Sequence, residues 1–89
     1  MNFEFRKSFV RDLKKKAKAI KLRSRILETI QEVNKAESLA EIKNVKKLKT
    51  EGDYYRIRLG DYRIGLKLEA GTVIFIRVLH RNEIYRYFP

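Results

Sequence analysis

The chain has no cysteine, a single proline, four glycines and one histidine among its 89 residues. Without cysteine, neither disulfide staples nor thiolate metal sites enter, and the redox compartment stays open. There is no linker, no internal repeat and no low-complexity segment, so residues 1–89 are expected to form one small domain. The apolar runs fall far short of a membrane span and no apolar leader opens the chain, so a soluble, cytoplasmic protein without membrane contact is expected. Acidic residues are scarce too: 11 Asp and Glu stand against 22 Lys and Arg, for a net charge of +11. With so strong an excess of one sign, the natural partners are polyanions: RNA, DNA, a ribosome or an acidic protein.

What is present is unevenly spread. Residues 1–50 carry 15 basic and 6 acidic side chains, whereas residues 51–89 carry 7 and 5. Eleven of the 12 lysines precede residue 50, while 6 of the 10 arginines follow it. Lysine is a hydrated point charge and arginine a planar fork matched to phosphate. The first half therefore suits diffuse attraction, and the second half suits specific phosphate contacts. Apolar residues make up 44% of the chain, enough for one modest core.

Asn2–Arg6 alternates, with Phe3 and Phe5 on one side, and reads as a short strand. Ser8 is the expected N-cap of a helix with Phe9, Leu13 and Ala17 at helical spacing, ending near Lys18. A second helix is expected from about Leu22 to Lys35, with Ile26, Ile30 and Val33 buried. Leu39 and Ile42 tuck under a turn, and Val45 and Leu48 anchor the lead-in to a hairpin. In that hairpin, Tyr55, Ile57 and Leu59 share a face with Tyr62, Ile64, Leu66 and Leu68. Gly60-Asp61 is the two-residue turn. Tyr54, Arg56, Arg58, Arg63, Gly65 and Lys67 take the opposite face. After Ala70-Gly71, strict alternation puts Ile74, Ile76 and Val78 on one side and Phe75, Arg77, Leu79 and Arg81 on the other. Residues 81–89 form a short aromatic tail.

These elements predict an α+β fold: a small antiparallel sheet in strand-helix-helix-strand-strand-strand order, with two helices packed on one face. The other face is expected to be open. Arg56, Arg58, Arg63, Arg77 and Arg81 can converge there.

Three segments carry a family resemblance: Tyr-Tyr-Arg-Ile-Arg-Leu-Gly-Asp-Tyr-Arg-Ile-Gly (54–65), Lys-Lys-Leu-Lys (46–49) and Arg-Val-Leu-His-Arg-Asn-Glu-Ile-Tyr-Arg-Tyr-Phe-Pro (77–89). Together with the length and element order, they resemble RelE-type toxins of the RelE/ParE toxin–antitoxin superfamily. The resemblance implies a ribosome-dependent mRNA endoribonuclease that cuts in the A site without metal or other cofactor. It implies products ending in a 2′,3′-cyclic phosphate and a 5′-hydroxyl. It also implies a RelB-like antitoxin partner, contacts to ribosomal RNA and mRNA, and operator DNA reached only through the antitoxin complex. By motif, Arg56, Arg58, Arg63, Arg81 and Tyr85 match the catalytic positions, with Tyr87 as the alternative tyrosine. Lys47, Lys49 and Arg77 are the expected further RNA contacts.

Attack by a 2′-hydroxyl on the adjacent phosphate needs a base, stabilisation of the phosphorane and a proton for the leaving 5′-oxygen. Arginines suit the second task, and Arg63 and Arg81 are the candidates. Arginine stays protonated, so Arg56 and Arg58 are poor bases where the best-known relatives commonly carry lysine; the base is unassigned. His80 is the one residue of a type whose ordinary pKa lies near neutrality and can act as acid or base, yet alternation also suits it to capping the end of the strand. Tyr85 can orient or stack on RNA, or simply pack. The lysine-rich helices read equally as solvated faces. Two other functions fit the same charge: a ParE-type toxin that binds DNA gyrase without cutting RNA, and a plain basic RNA-binding domain.

Overall fold

The computed structural model describes residues 1–16 and 19–89. Its strands are β1 (Asn2–Phe5), β2 (Val45–Lys47), β3 (Tyr54–Leu59), β4 (Tyr62–Glu69) and β5 (Thr72–His80). The helices are α1 (Lys7–Lys16), α2 (Ile20–Lys35) and the single-turn α3 (Ile84–Tyr87), with a 3₁₀ turn at Leu39–Glu41. The expected α+β architecture is present. The sheet runs β1-β5-β4-β3-β2.

Two features of the sheet differ from the sequence expectation. β1 pairs in parallel with β5, so the sheet is antiparallel everywhere but at that edge. The extra strand β2 pairs with β3, setting Val45 against Ile57. Three residues are too few for alternation to announce a strand, and β2 is defined by its neighbour.

On α2, Leu22, Ile26, Thr29 and Val33 are buried at spacings that keep them on one stripe. Leu22, Ile26 and Val33 meet Phe9 of α1 and Ile57, Leu59, Ile64, Leu66, Val73, Phe75 and Val78 of the sheet in one core. Ile30 lies at its margin and Leu39 and Ile42 are buried beneath the 3₁₀ turn. That turn is closed by Glu41, whose carboxylate accepts from the amides of Glu37 (2.7 Å) and Ser38 (3.0 Å). Phe75 packs among Phe3, Phe5 and Phe9 at centroid distances of 5.4–6.3 Å, and truncating it to alanine costs about 3–5 kcal/mol.

Phe75 was expected on the opposite face. A bulge explains the difference: β4 pairs Gly65 with Arg77 but Leu66 with Phe75, leaving Ile76 as the extra residue. Alternation therefore resets within β5, and Val73, Phe75 and Val78 all reach the helix-covered core.

The first helix also corrects a reading. Ser8 is not its cap but its second residue, and Ser8 Oγ donates to the Ile76 carbonyl at 2.6 Å. Asp12, one turn on, accepts from the Val78 amide at 3.0 Å. β1 ends opposite Phe75, so beyond that point β5 has no strand on that side. Ser8 and Asp12 thus satisfy backbone groups that an edge strand would otherwise leave open. The expected helix end at Lys18, and Ala17 in its stripe, lie outside the described residues.

The second face of the sheet is only partly open. Ile84 and Phe88 of the tail are buried against Leu79, with Leu48, Tyr54 and Ile76 around them. Among the described residues, no helix is long and apolar enough to cross a membrane.

Candidate functional site

The β3–β4 turn organises the exposed end of this second face. Gly60 holds φ at +60°, which suits the first central position of a two-residue hairpin loop. With that turn closed, Arg58 stands directly opposite Arg63, and Arg56 lies opposite Gly65. The Arg63 guanidinium folds back and donates from Nη1 to the carbonyls of Gly60 (2.7 Å) and Tyr62 (2.9 Å). Arg81, just past the end of β5, is tied to the same turn because its amide donates to the Asp61 carbonyl at 2.7 Å. One turn therefore places both arginines expected to stabilise a phosphorane.

Arg56 and Arg58 are oriented by Asn44. Its carbonyl accepts from Arg56 Nη1 at 2.9 Å and from the Arg58 amide at 3.1 Å. Its side-chain oxygen accepts from Arg58 Nη2 at 3.4 Å. Asn44 sits at φ +64°, a left-handed conformation that asparagine tolerates better than most residues. Arg56 Nε is buried without a hydrogen-bond partner among the described residues.

These groups feel one another. Partial burial lowers the proton affinity of Arg63, and Arg56, Arg58 and Arg81 lower it further by repulsion. Tyr85 acts in the opposite sense. Among the described residues, the carboxylate that comes within 4.0 Å of the cluster belongs to Asp61, beside exposed Arg81. An exposed pair at that separation neutralises little. The cluster thus retains its positive charge, and its guanidinium groups rest mostly on carbonyl dipoles.

Tyr85 and Tyr87 both project from α3, with 66% and 51% of their surfaces exposed. Tyr85 borders the groove formed by Lys46, Lys47, Leu48, Lys49 and Thr50. Tyr87 instead lies beside Arg77 and Arg86, with its ring 5.9 Å and 6.0 Å from their guanidinium carbons. Lys47 is paired with Asp53 at 3.3 Å, and both partners are more than half exposed. His80 stands edge-on to Tyr62 (5.5 Å, 81°), and its Nδ1 accepts from the Asn82 amide at 3.2 Å.

Arg77 does not join the other four arginines. Its Nε and Nη2 form a fork with Asp12 at 2.7 Å and 3.2 Å. Asp12 is 5% exposed, and its hydrogen bond is the main reason the proton affinity of Arg77 is raised. The expected convergence of five arginines is therefore a convergence of four.

Two contributors escaped the sequence reading. Asn44 had a weak signal, an asparagine between Ile42 and Val45 where the chain reverses into a strand. Arg25 had none: its Nη1 lies 3.0 Å from where a side chain on Gly60 would begin, and only the packing of α2 against the turn brings it there.

The chain and its fold resemble known proteins. The family described as "ParE toxin of type II toxin-antitoxin system, parDE" matches residues 3–85. The chain is 46% identical over 90 residues to Toxin RelE3 of Methanocaldococcus jannaschii, with the whole of both chains covered. Its fold matches a chain of the RelB–RelE antitoxin–toxin complex from Methanococcus jannaschii with a TM-score of 0.80 and 46% identity, covering 96% of this chain and 98% of the other. It also matches a chain of the archaeal RelE–RelB complex from Pyrococcus horikoshii with a TM-score of 0.69 and 26% identity, covering 93% and 97%. The chain belongs to the RelE/ParE family of toxins from type II toxin–antitoxin systems.

Proposed function

We propose that the protein is a ribosome-dependent mRNA endoribonuclease that arrests translation by cutting mRNA in the A site through attack of a 2′-hydroxyl on the neighbouring phosphate. The observation that supports this reading is the meeting of Arg56, Arg58 and Arg63 on one face of the β3–β4 hairpin, with Arg81 tied to its turn. Guanidinium groups fixed in advance by carbonyls need little reorganisation when negative charge builds on the phosphorane, and each such donor is worth roughly 3 kcal/mol. Arg63, held by the Gly60 and Tyr62 carbonyls, takes that role with Arg81, whose backbone amide is fixed to the same turn. Arg56 and Arg58 bind the flanking phosphates, Tyr85 orients the RNA by stacking, and Lys47 and Lys49 continue the basic track.

Proton transfer is the harder part, because the arginines stay charged. His80 is not assigned to it: paired with Tyr62, it stands on the other side of the sheet from Arg63, and its Nδ1 accepts from the Asn82 amide. In this reading water takes the 2′-hydroxyl proton and supplies one to the leaving 5′-oxygen. A RelB-like antitoxin silences the toxin by covering the arginine cluster and dislodging the tail.

The matched family bears the ParE description, which keeps a second reading in view: a non-enzymatic toxin that uses the arginine face to bind DNA gyrase. Primer extension on an mRNA under translation in a purified system separates the two. Codon-registered cuts that require ribosomes and disappear in Arg81→Ala support the nuclease. Growth arrest without cuts supports the gyrase reading. Ribosome binding should also weaken steeply with salt, since phosphate contacts release counterions; a flat response argues for a protein target.

A further inference from the structure

Gly65 sits in the middle of β4, where a residue without a side chain usually weakens a strand. Backbone freedom does not account for it, because Gly65 has no positive φ. Space does. A Cβ at this position would lie 2.7 Å from Cγ and 2.8 Å from both Cδ atoms of the Phe88 ring. Phe88 is 3% exposed, and its ring stands edge-on to Tyr54 at 5.7 Å. Gly65 is therefore the floor on which the tail is seated.

The seat matters because α3 is only four residues long. One helical turn has no stability of its own in water. It is held by what its buried side chains touch, and these are Ile84 and Phe88, four positions apart on one side. Tyr85 lies between them and points outward. On the strands flanking Gly65, Arg56 and Arg77 occupy the paired positions, so the seat adjoins the arginine cluster.

We propose that Gly65 is a positioning residue for the site: having no side chain, it admits the Phe88 ring onto the sheet, and that seat holds Tyr85 at the groove of Lys46–Thr50, whose Lys46 pairs with Arg56. The catalytic meaning of this device rests on the nuclease reading of Tyr85. The device itself does not.

The test uses Gly65→Ala, Phe88→Ala and Tyr85→Ala, alone and with Gly65→Ala combined with Tyr85→Ala. Phe88→Ala leaves the sheet backbone untouched and covers the case in which Gly65→Ala fails to fold. Amide exchange should accelerate at Arg86, Tyr87 and Phe88, whose amides donate to Glu83 and Ile84, while Ile64 and Val78 stay protected. In Gly65→Ala the cross-relaxation signal between the Phe88 and Tyr54 rings, edge-on at 5.7 Å in the wild type, should vanish. Single-turnover cleavage on saturating ribosomes should fall by roughly a hundredfold, the order expected when a positioned group is displaced by an ångström. Ribosome affinity should hold, and Gly65→Ala should add nothing to the loss already caused by Tyr85→Ala.

Three results would overturn the proposal: a tail still protected in Gly65→Ala, full cleavage with the tail free, or losses that add in the double variant. If the wild type makes no cuts, the nuclease reading falls, and amide exchange with the Phe88–Tyr54 signal decides the seat alone.

Discussion

Arg77 and Arg63 belong to the same sheet and have opposite surroundings. Arg77 meets its countercharge within the fold, since Asp12 reaches it from α1 with a two-pronged hydrogen bond. Arg63 meets like charge, and the acceptors it finds are the carbonyls of its own turn. A guanidinium matched by a buried carboxylate is finished as an interaction partner and serves to join helix to sheet. A guanidinium held by dipoles among other cations keeps its charge for an external anion. Arginine content alone says nothing about which kind is present; the neighbours decide.

The largest effect is expected where the comparison is broken on the Arg77 side. Asp12→Ala removes the partner of a half-buried guanidinium and the acceptor of the Val78 amide. It should cost about 3–5 kcal/mol in urea unfolding. The control is Asp61→Ala beside exposed Arg81, which should cost less than about 1 kcal/mol. Equal costs would mean that the two environments do not differ as described.

Breaking the other side should leave the fold and remove the activity. Arg81→Ala or Arg63→Ala should lower the single-turnover cleavage rate by about 10²–10³. The unfolding free energy in urea should stay within about 0.5 kcal/mol of wild type for exposed Arg81. A variant that still arrests growth fully would take the arginine out of the site.

A smaller effect sharpens the electrostatic half of the comparison. The lowered proton affinity of Arg63 means that folding disfavours its charged form. That penalty is present throughout the neutral range and is relieved only in strongly alkaline solution, as the folded and then the unfolded arginine loses its proton. Burial is the first cause of that penalty and salt leaves it unchanged; added salt should screen the further repulsion from Arg56, Arg58 and Arg81, so the melting temperature of the wild type should rise from low ionic strength. The rise should shrink in Arg63→Gln; an identical response would show that the repulsion is negligible.

The smallest effect is expected at Asn44. Asn44→Gly keeps the left-handed backbone and its carbonyl but loses the 3.4 Å side-chain contact to Arg58, a change of about 1 kcal/mol or less. Asn44→Val should be worse, because a β-branched residue resists that φ. Thermal melts of the pair distinguish backbone from side-chain contribution.

Much of the site was legible before any coordinates. Period-two alternation with Gly60-Asp61 between the runs set Arg56, Arg58 and Arg63 on one face, because a two-residue turn leaves little choice of register. The helical spacing of Ile26 and Val33 marked the core side of α2 for the same kind of reason. Such local periodicities depend on neighbours close in the chain. Three things did not show. The bulge at Ile76 shifted the faces of β5, and a single extra residue carries no compositional mark. β2 exists because β3 is beside it. Arg77 took Asp12 as its partner from 65 residues away.

The amino-acid sequence by itself determined the charge, the α+β element order, the hairpin that carries the arginines and the resemblance that pointed to the family. Tertiary structure alone decided which arginines remain free, how Asn44 and Arg25 join the turn, and that the tail rests on Gly65. The physical reason is the range of the forces involved. Strand alternation and turn closure act between residues a few positions apart. Ion pairing, like-charge repulsion and the seating of a ring on a bare stretch of sheet depend on which distant segments the core brings together.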